Sequence, residues 1–103
     1  CDIDAFSAML NDGNQLTVID VREEHEFDAG CFEGAVHLSK GVIERDIEKH
    51  PISEGDRIVL YCGGGFRSAL AAESLARMGY ANVYSLWGGW RSLVAAGLAT
   101  PNQ

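Results

Sequence analysis

One seven-residue segment contains the residue types that could carry out covalent chemistry. It reads Cys62-Gly63-Gly64-Gly65-Phe66-Arg67-Ser68, directly after a strand-like run at 57–61 and directly before a helical run at 69–78. A glycine-rich turn between a strand and a helix directs several backbone N–H groups at one point, where the positive end of the helix also attracts an anion. A thiol at that point should titrate below the free value of about 8.5, and the thiolate is the nucleophile. We therefore predict that Cys62 is a nucleophile inside an anion-binding loop formed by residues 63–68.

Arg67 and Ser68 close this segment, and each has two interpretations. A positive charge is unfavourable at the N-terminus of a helix, so the presence of Arg67 there favours a functional role. Its guanidinium would lower the pKa of the Cys62 thiol, or would bridge loop carbonyls and hold the loop in shape. The alternative is an ordinary residue of the first helical turn. Ser68 is more simply a helix N-cap than a catalytic hydroxyl.

Short apolar runs alternate with helical runs along the whole chain. The strand-like runs are 16–19, 35–38, 58–61 and 83–86, and the helical runs are 5–10 with Asp4 as its cap, 23–29, 42–48, 69–78 and 90–96. This alternation predicts an α/β domain with a parallel sheet. Ligands of such sheets bind outside the carboxyl ends of the strands. Those ends are occupied here by 20–22, 62–67 and 87–90, so we expect all three segments at one edge of the sheet.

Two pairs of residues at that edge are further candidates. Asp20 and Arg22 follow the first strand, and we interpret them as an internal ion pair that braces the edge, with direct contact to substrate as the weaker alternative. Trp87 and Trp90 follow the last strand. They are interpreted either as the mouth of a substrate pocket that docks an acceptor or as packing for the last helix.

The composition excludes several classes of function. At 103 residues the chain forms one domain, 1–103, and its net charge of −7 argues against nucleic acid and anionic membranes as partners. Three cysteines at irregular spacing argue against a disulfide scaffold and do not have zinc spacing. We therefore expect no metal and no cofactor. Cys31 is interpreted as a core or loop residue, with a resolving thiol or a disulfide partner for Cys62 as the alternative. The chain begins with Cys1, which suggests a piece of a longer protein, and we expect a cytoplasmic monomer.

With the cysteine loop in place, the chain resembles the rhodanese-like domains, a family of sulfurtransferases. The resemblance covers nearly all of the chain, and its pieces occur in the family's order: Asp20-Val21-Arg22-Glu23 with Glu26-Phe27, Gly30 to Ala35, Tyr61-Cys62-x-x-Gly65-x-Arg67-Ser68, Ala71-Ala72, Leu75, Gly79-Tyr80, Leu86-x-Gly88-Gly89 and Ala96-Gly97-Leu98. The resemblance implies a single doubly wound α/β/α sandwich around a mainly parallel sheet of four to five strands. It also implies that Cys62 carries a sulfur atom, as a persulfide, between a donor and an acceptor.

The chain departs from the family pattern at positions that bear on its substrate. Thiosulfate-using members often place a basic or polar side chain just after the cysteine, where this chain has Gly63 and Gly64. We therefore expect a persulfide donor, either a small molecule or a persulfidated protein, in preference to thiosulfate. The acceptor would be a thiol or cyanide. In the segment 30–35 the histidine and proline that are usual in the family are also replaced. We expect this replacement to affect the scaffold of the domain and not its substrate.

Two other classes of function remain open from the sequence. Cysteine-based phosphatases and arsenate reductases also surround an anion with a cysteine and an arginine, but they place five residues between the two, and this chain has four between Cys62 and Arg67. The shorter loop favours a site the size of one sulfur atom. The other alternative is a sulfur-carrying or regulatory module that has the fold but no turnover.

Overall fold

Helices and strands alternate along the chain, as the sequence predicts. The structure is a computed structural model that describes residues 1–101, so the last two residues of the predicted domain 1–103 lie outside the described part. The elements are α1 Ile3–Asn11, β1 Thr17–Asp20, α2 Glu24–Asp28, β2 Val36–His37, α3 Ile43–Asp46, a 3₁₀ turn Ile47–Lys49, β3 Arg57–Tyr61, α4 Phe66–Arg77, β4 Asn82–Ser85 and α5 Gly89–Ala95.

The strands form one parallel sheet with the order β2-β1-β3-β4. The central strand β3 is almost completely buried, and its register pairs Val59 with Val18 on one side and Tyr84 on the other. A sheet in which all strands run the same way brings their carboxyl ends to one edge. The segments after β1, β3 and β4 therefore share that edge, as predicted.

Successive side chains of β3 point to opposite faces of the sheet, and each face is covered by helices. Ile58 and Leu60 pack in a cluster with Leu75 of α4. Val59 and Tyr61 pack in a second cluster, which contains Phe6 of α1 and Leu93 of α5. The result is a three-layer α/β/α arrangement around four strands, which confirms the predicted fold class. Parallel sheets are typically covered by helices on both faces in this way.

Two helices start more than one residue away from the predicted position. Helix α1 begins at Ile3, because Asp2, not Asp4, caps it by accepting the N–H of Ala5 at 2.8 Å. Helix α4 begins at Phe66, three residues before the predicted start at 69, because Gly65 takes the cap position with a φ of 110°. The earlier start places the first turn of α4 directly beside Cys62.

Within residues 1–101, no helix combines the length and the apolar character that a membrane-spanning helix needs.

Candidate active site

Cys62 lies at the end of β3, at the bottom of the glycine loop. It is only 1% exposed. The backbone N–H of Gly65 donates to its Sγ at 3.0 Å, and the Oγ of Ser68 lies 3.6 Å from the same atom. The sulfur is therefore held by hydrogen-bonding groups of the loop and of the first turn of α4, as the spacing of the segment predicts.

The conformation of Gly65 makes this contact geometry available. Its φ of 110° falls in the region where side chains are strained. A Cβ atom at this position would lie 3.5 Å from the amide nitrogen of Gly88, an ordinary contact, so the backbone conformation and not a lack of space favours glycine. The glycine thus turns the chain into α4 while its own N–H stays directed at the sulfur.

Opposing effects act on the pKa of the Cys62 thiol. Burial raises the pKa, because a thiolate loses hydration in the interior. Hydrogen bonds from the backbone and the hydroxyl of Ser68, and from the backbone N–H groups of Gly65 and Arg67, lower it. The hydrogen bonds outweigh burial, and the pKa lies below the ordinary value of a thiol. The loop thus favours the nucleophilic form.

Ser68 does not have the role that the sequence suggests. The N-cap of α4 is Gly65, and Ser68 is the third residue of the helix, fully buried. Its hydroxyl donates to the carbonyl of Gly65 at 3.1 Å and lies 2.8 Å from the Oγ of Ser85. The prediction of an N-cap is wrong, because a left-handed glycine ends the loop one turn earlier. Ser68 instead supplies a hydroxyl beneath the sulfur.

Arg67 is held by a carboxylate that sequence analysis missed. Its Nη1 and Nη2 donate to Oε1 and Oε2 of Glu26 at 2.8 and 3.3 Å. Within residues 1–101, the Arg67 guanidinium donates to Glu26 and makes no hydrogen bond to a carbonyl of the loop. The interpretation that Arg67 bridges the loop carbonyls is therefore wrong. The pKa of Arg67 is raised by Glu26 first and also by the charge of Cys62. The sequence predicts Glu26 only as part of the helical run 23–29 and of the family motif, without a partner.

Asp20 and Arg22 form the buried ion pair that the sequence predicts. The Nη2 of Arg22 lies 2.7 Å from Oδ2 of Asp20 and donates to the carbonyl of Gly30 at 2.6 Å, and both side chains are at most 4% exposed. The pair joins the end of β1 to the segment that leads into β2. Because both charges are buried and mutually satisfied, the geometry supports bracing of the edge rather than contact with substrate.

The two tryptophans at the edge differ in their surroundings. The guanidinium carbon of Arg22 lies 4.5 Å from the ring centroid of Trp90, and the backbone N–H of Trp90 donates to the carbonyl of Cys62 at 2.7 Å. Trp90 also lines an open cleft of about 290 Å³ together with Arg22 and Glu26. Trp87 is 67% exposed, and so is the ring of Phe66, at 77%. The packing interpretation thus holds for Trp90, whereas the side chains of Trp87 and Phe66 are exposed to solvent.

Cys31 differs from Cys62 in its electrostatic environment. It is a half-buried free cysteine. Burial raises the pKa of its thiol, with a further contribution from the charge of Asp20. The pKa of its thiol is therefore the higher of the two. No cluster of histidine, cysteine or carboxylate side chains within residues 1–101 could hold a metal ion.

Comparison with known families gives one match for the domain. The family model of the rhodanese-like domain matches residues 2–96, which is nearly the whole chain and includes every residue of the loop.

Relatives with curated names differ in what they are said to do. A protein of Bacillus subtilis named as a sulfur carrier is 29% identical over 89 residues, which cover 86% of this chain and 47% of the relative. A mitochondrial protein of Schizosaccharomyces pombe named as a thiosulfate sulfurtransferase is 35% identical over 91 residues, which cover 76% of this chain and 63% of the relative. A tRNA uridine(34) hydroxylase of Bacillus cereus is 38% identical and matches 84% of this chain but only 28% of the relative. The chain therefore spans less than two thirds of each.

A solved structure of similar size supports the fold. A human single-domain sulfurtransferase superimposes with a TM-score of 0.83 at 20% identity, covering 92% of this chain and 94% of the human one. At this identity the likeness concerns the fold.

Proposed function

This chain belongs to the family of rhodanese-like domains, and on that premise we propose that it is a sulfurtransferase that carries a sulfane sulfur as a persulfide on Cys62. The observation that carries the proposal is the contact of 3.0 Å between the N–H of Gly65 and the Sγ of Cys62. This donor, at the N-terminus of a twelve-residue helix, stabilises negative charge on sulfur.

The first step loads the sulfur. The Cys62 thiolate attacks the outer sulfur of a persulfide donor, R–S–S⁻. A new S–S bond forms, the S–S bond of the donor breaks, and R–S⁻ leaves with the electron pair of that bond. The products are Cys62–S–S⁻ and a thiolate, so charge and atoms balance, and no external oxidant or reductant is needed. Thiosulfate would react in the same way, with sulfite as the leaving group.

The second step returns the enzyme to its starting state. A thiolate acceptor, or cyanide, attacks the outer sulfur of Cys62–S–S⁻, and the Cys62 thiolate is the leaving group. A two-step transfer through a covalent intermediate is typical of nucleophilic catalysis by cysteine. A lowered pKa helps both steps, because the thiolate is the attacking group in the first and the leaving group in the second.

The relatives' names support sulfur chemistry without fixing the donor. Two of them are named for sulfur carriage or transfer, and a third is named for hydroxylation of tRNA. What supports transfer in this chain is its own site, since the cysteine, its hydrogen-bond donors and the lowered pKa of its thiol occur together.

The experiment that tests this proposal is sulfur uptake. The protein is incubated with a small persulfide donor or with thiosulfate, and its intact mass is measured before and after reduction. We expect the addition of one sulfur atom, mapped to Cys62 and removed by a reductant. No uptake with either donor would overturn the proposal.

A further inference from the structure

The two arginines beside the loop are each matched by a carboxylate. Arg22 is paired with Asp20 at 2.7 Å, and Arg67 is paired with Glu26 at 2.8 Å. The two pairs carry no net charge between them. The thiolate of Cys62 is stabilised by hydrogen bonds from the backbone N–H groups and from the hydroxyl of Ser68, while both guanidiniums are already paired with carboxylates.

Glu26 is fixed in place by its own helix as well as by Arg67. It is the third residue of α2, and its Oε1 accepts the backbone N–H of Glu23 at 3.1 Å in a capping box. Its side chain is 30% exposed, and that of Arg67 is 35% exposed. The hydrogen bond from Arg67, opposed in part by burial, lowers the pKa of Glu26 to about 2. The carboxylate is thus ionised near neutral pH.

The paired guanidinium lies against the loop. A Cβ atom at Gly63 would come within 3.3 Å of the Nη2 of Arg67. The charge of Cys62 is among the causes that raise the pKa of Arg67. On its other side, Glu26 lines the open cleft that Arg22 and Trp90 also line. Glu26 therefore contacts the guanidinium of Arg67 beside the loop and also lines the cleft.

We propose that Glu26 determines the specificity for the sulfur donor, because it neutralises Arg67 and thereby favours persulfides of low charge over dianions such as thiosulfate. This inference rests on the proposed function and deepens it. A dianion that approaches a thiolate is favoured by a positive charge nearby. The carboxylate of Glu26 offsets the positive charge that Arg67 would otherwise provide. The absence of a basic side chain at Gly63 and Gly64 acts in the same direction.

The chain provides a matched pair of variants for the test. Glu26→Gln removes the charge that faces Arg67, and glutamine at this position retains the capping box. Glu24→Gln removes one negative charge from the same helix at an exposed position that makes no ion pair in the described part of the chain. The two variants have the same net charge, so a difference between them reports the contact with Arg67. Thermal melting checks that both remain folded.

The first readout needs no sulfur transfer. Cys62 is alkylated with anionic iodoacetate and with neutral iodoacetamide at one pH, and the product is mapped to Cys62 by peptide mass. The rate with iodoacetate divided by the rate with iodoacetamide should rise by up to about fivefold in Glu26→Gln, because a partly exposed ion pair contributes at most about 1 kcal/mol. It should stay at the wild-type value in Glu24→Gln. An unchanged ratio in Glu26→Gln, or an equal rise in both variants, would overturn the inference.

The second readout compares donors. In Glu26→Gln the KM for thiosulfate, a dianion, should fall, while the KM for a simple alkyl persulfide, which carries one negative charge, changes much less. A parallel change for both donors would assign a merely structural role to Glu26 and overturn the inference. Because alkylation is independent of sulfur uptake, failure of the proposed function and failure of this inference give different results.

Discussion

Gly89 lies directly against Cys62, so that a Cβ atom at position 89 would come within 2.1 Å of the carbonyl oxygen of Cys62. The same carbonyl accepts the N–H of Trp90 at 2.7 Å. The start of α5 is therefore fixed against the residue that carries the chemistry. This close approach gives a physical reason for glycine at position 89, where the backbone also has a φ of 50°.

The first prediction follows from this contact. Gly89→Ala should destabilise the domain by about 1–3 kcal/mol, since the methyl group forces the backbone of α5 away from Cys62 in a conformation that alanine rarely adopts. Sulfur uptake should fall as well. Denaturant unfolding and intact mass measure the two effects. The control is Gly64→Ala, because a Cβ atom there has nothing within 4 Å. Equal stability of the two variants would contradict the account.

The second prediction concerns pH. The alkylation rate of each cysteine rises with pH as its thiolate forms and levels off above its pKa. The pKa of Cys62 is lowered, because its hydrogen bonds outweigh burial, and burial raises the pKa of Cys31. The inflection for Cys62 should therefore occur at the lower pH. Iodoacetamide rates for each cysteine, resolved by peptide mass, measure this order. An inflection of Cys62 at or above that of Cys31 would remove the electrostatic argument.

The third prediction concerns the hydroxyl beneath the sulfur. Ser68→Ala should raise the pKa of Cys62 by about one pH unit, since a hydrogen bond to a charged group contributes about 1.5–3 kcal/mol. Ser85→Ala is the control: Ser85 lies 2.8 Å from the Ser68 oxygen and makes no hydrogen bond to the sulfur within residues 1–101, so its effect should be smaller. The pH profile of Cys62 alkylation is the measurement, and an equal effect of the two substitutions would show that the direct contact is not what matters.

The sheet and its edge could be predicted because their signals are local. The run 58–61 is short, apolar and β-branched, and a glycine loop follows it at once. Parallel order then brings the ends of β1, β3 and β4 together without any knowledge of side-chain contacts. The pair of Asp20 and Arg22, two residues apart, was predictable for the same reason.

The remainder of the site depends on contacts that no local pattern contains. Arg67 and Glu26 are 41 positions apart, and Glu26 sits in a run of charged residues that resembles a solvated helix face. Glu26 and Arg67 each belong to a piece of the family motif, and that shared membership is the signal in the sequence that could suggest their pairing. Ser68 was misassigned because serine is a common N-cap, whereas the positive φ of Gly65 moves the cap three residues earlier.

The fourth prediction concerns loop length. With four residues between Cys62 and Arg67, the site should not hydrolyse aryl phosphates, because the loop is too narrow for three equatorial oxygens and an in-line leaving group. A glycine inserted between Gly65 and Phe66 should weaken sulfur uptake, since it displaces the N–H that lies 3.0 Å from the sulfur. A glycine inserted beside Gly41, where a Cβ atom would have nothing within 4 Å, is the control. Turnover of a phosphate ester that depends on Cys62 would contradict the assignment.

The most direct test of the central claim is the discharge of the loaded protein. The domain is loaded with sulfur and separated from the donor, and cyanide or a monothiol is then added. We predict that Cys62 loses one sulfur atom as one equivalent of thiocyanate or persulfide appears, that Cys31→Ser behaves in the same way, and that Cys62→Ser neither loads nor delivers sulfur. A sulfur atom that maps to Cys31, or one that remains on Cys62 when the acceptor is present, would contradict the account.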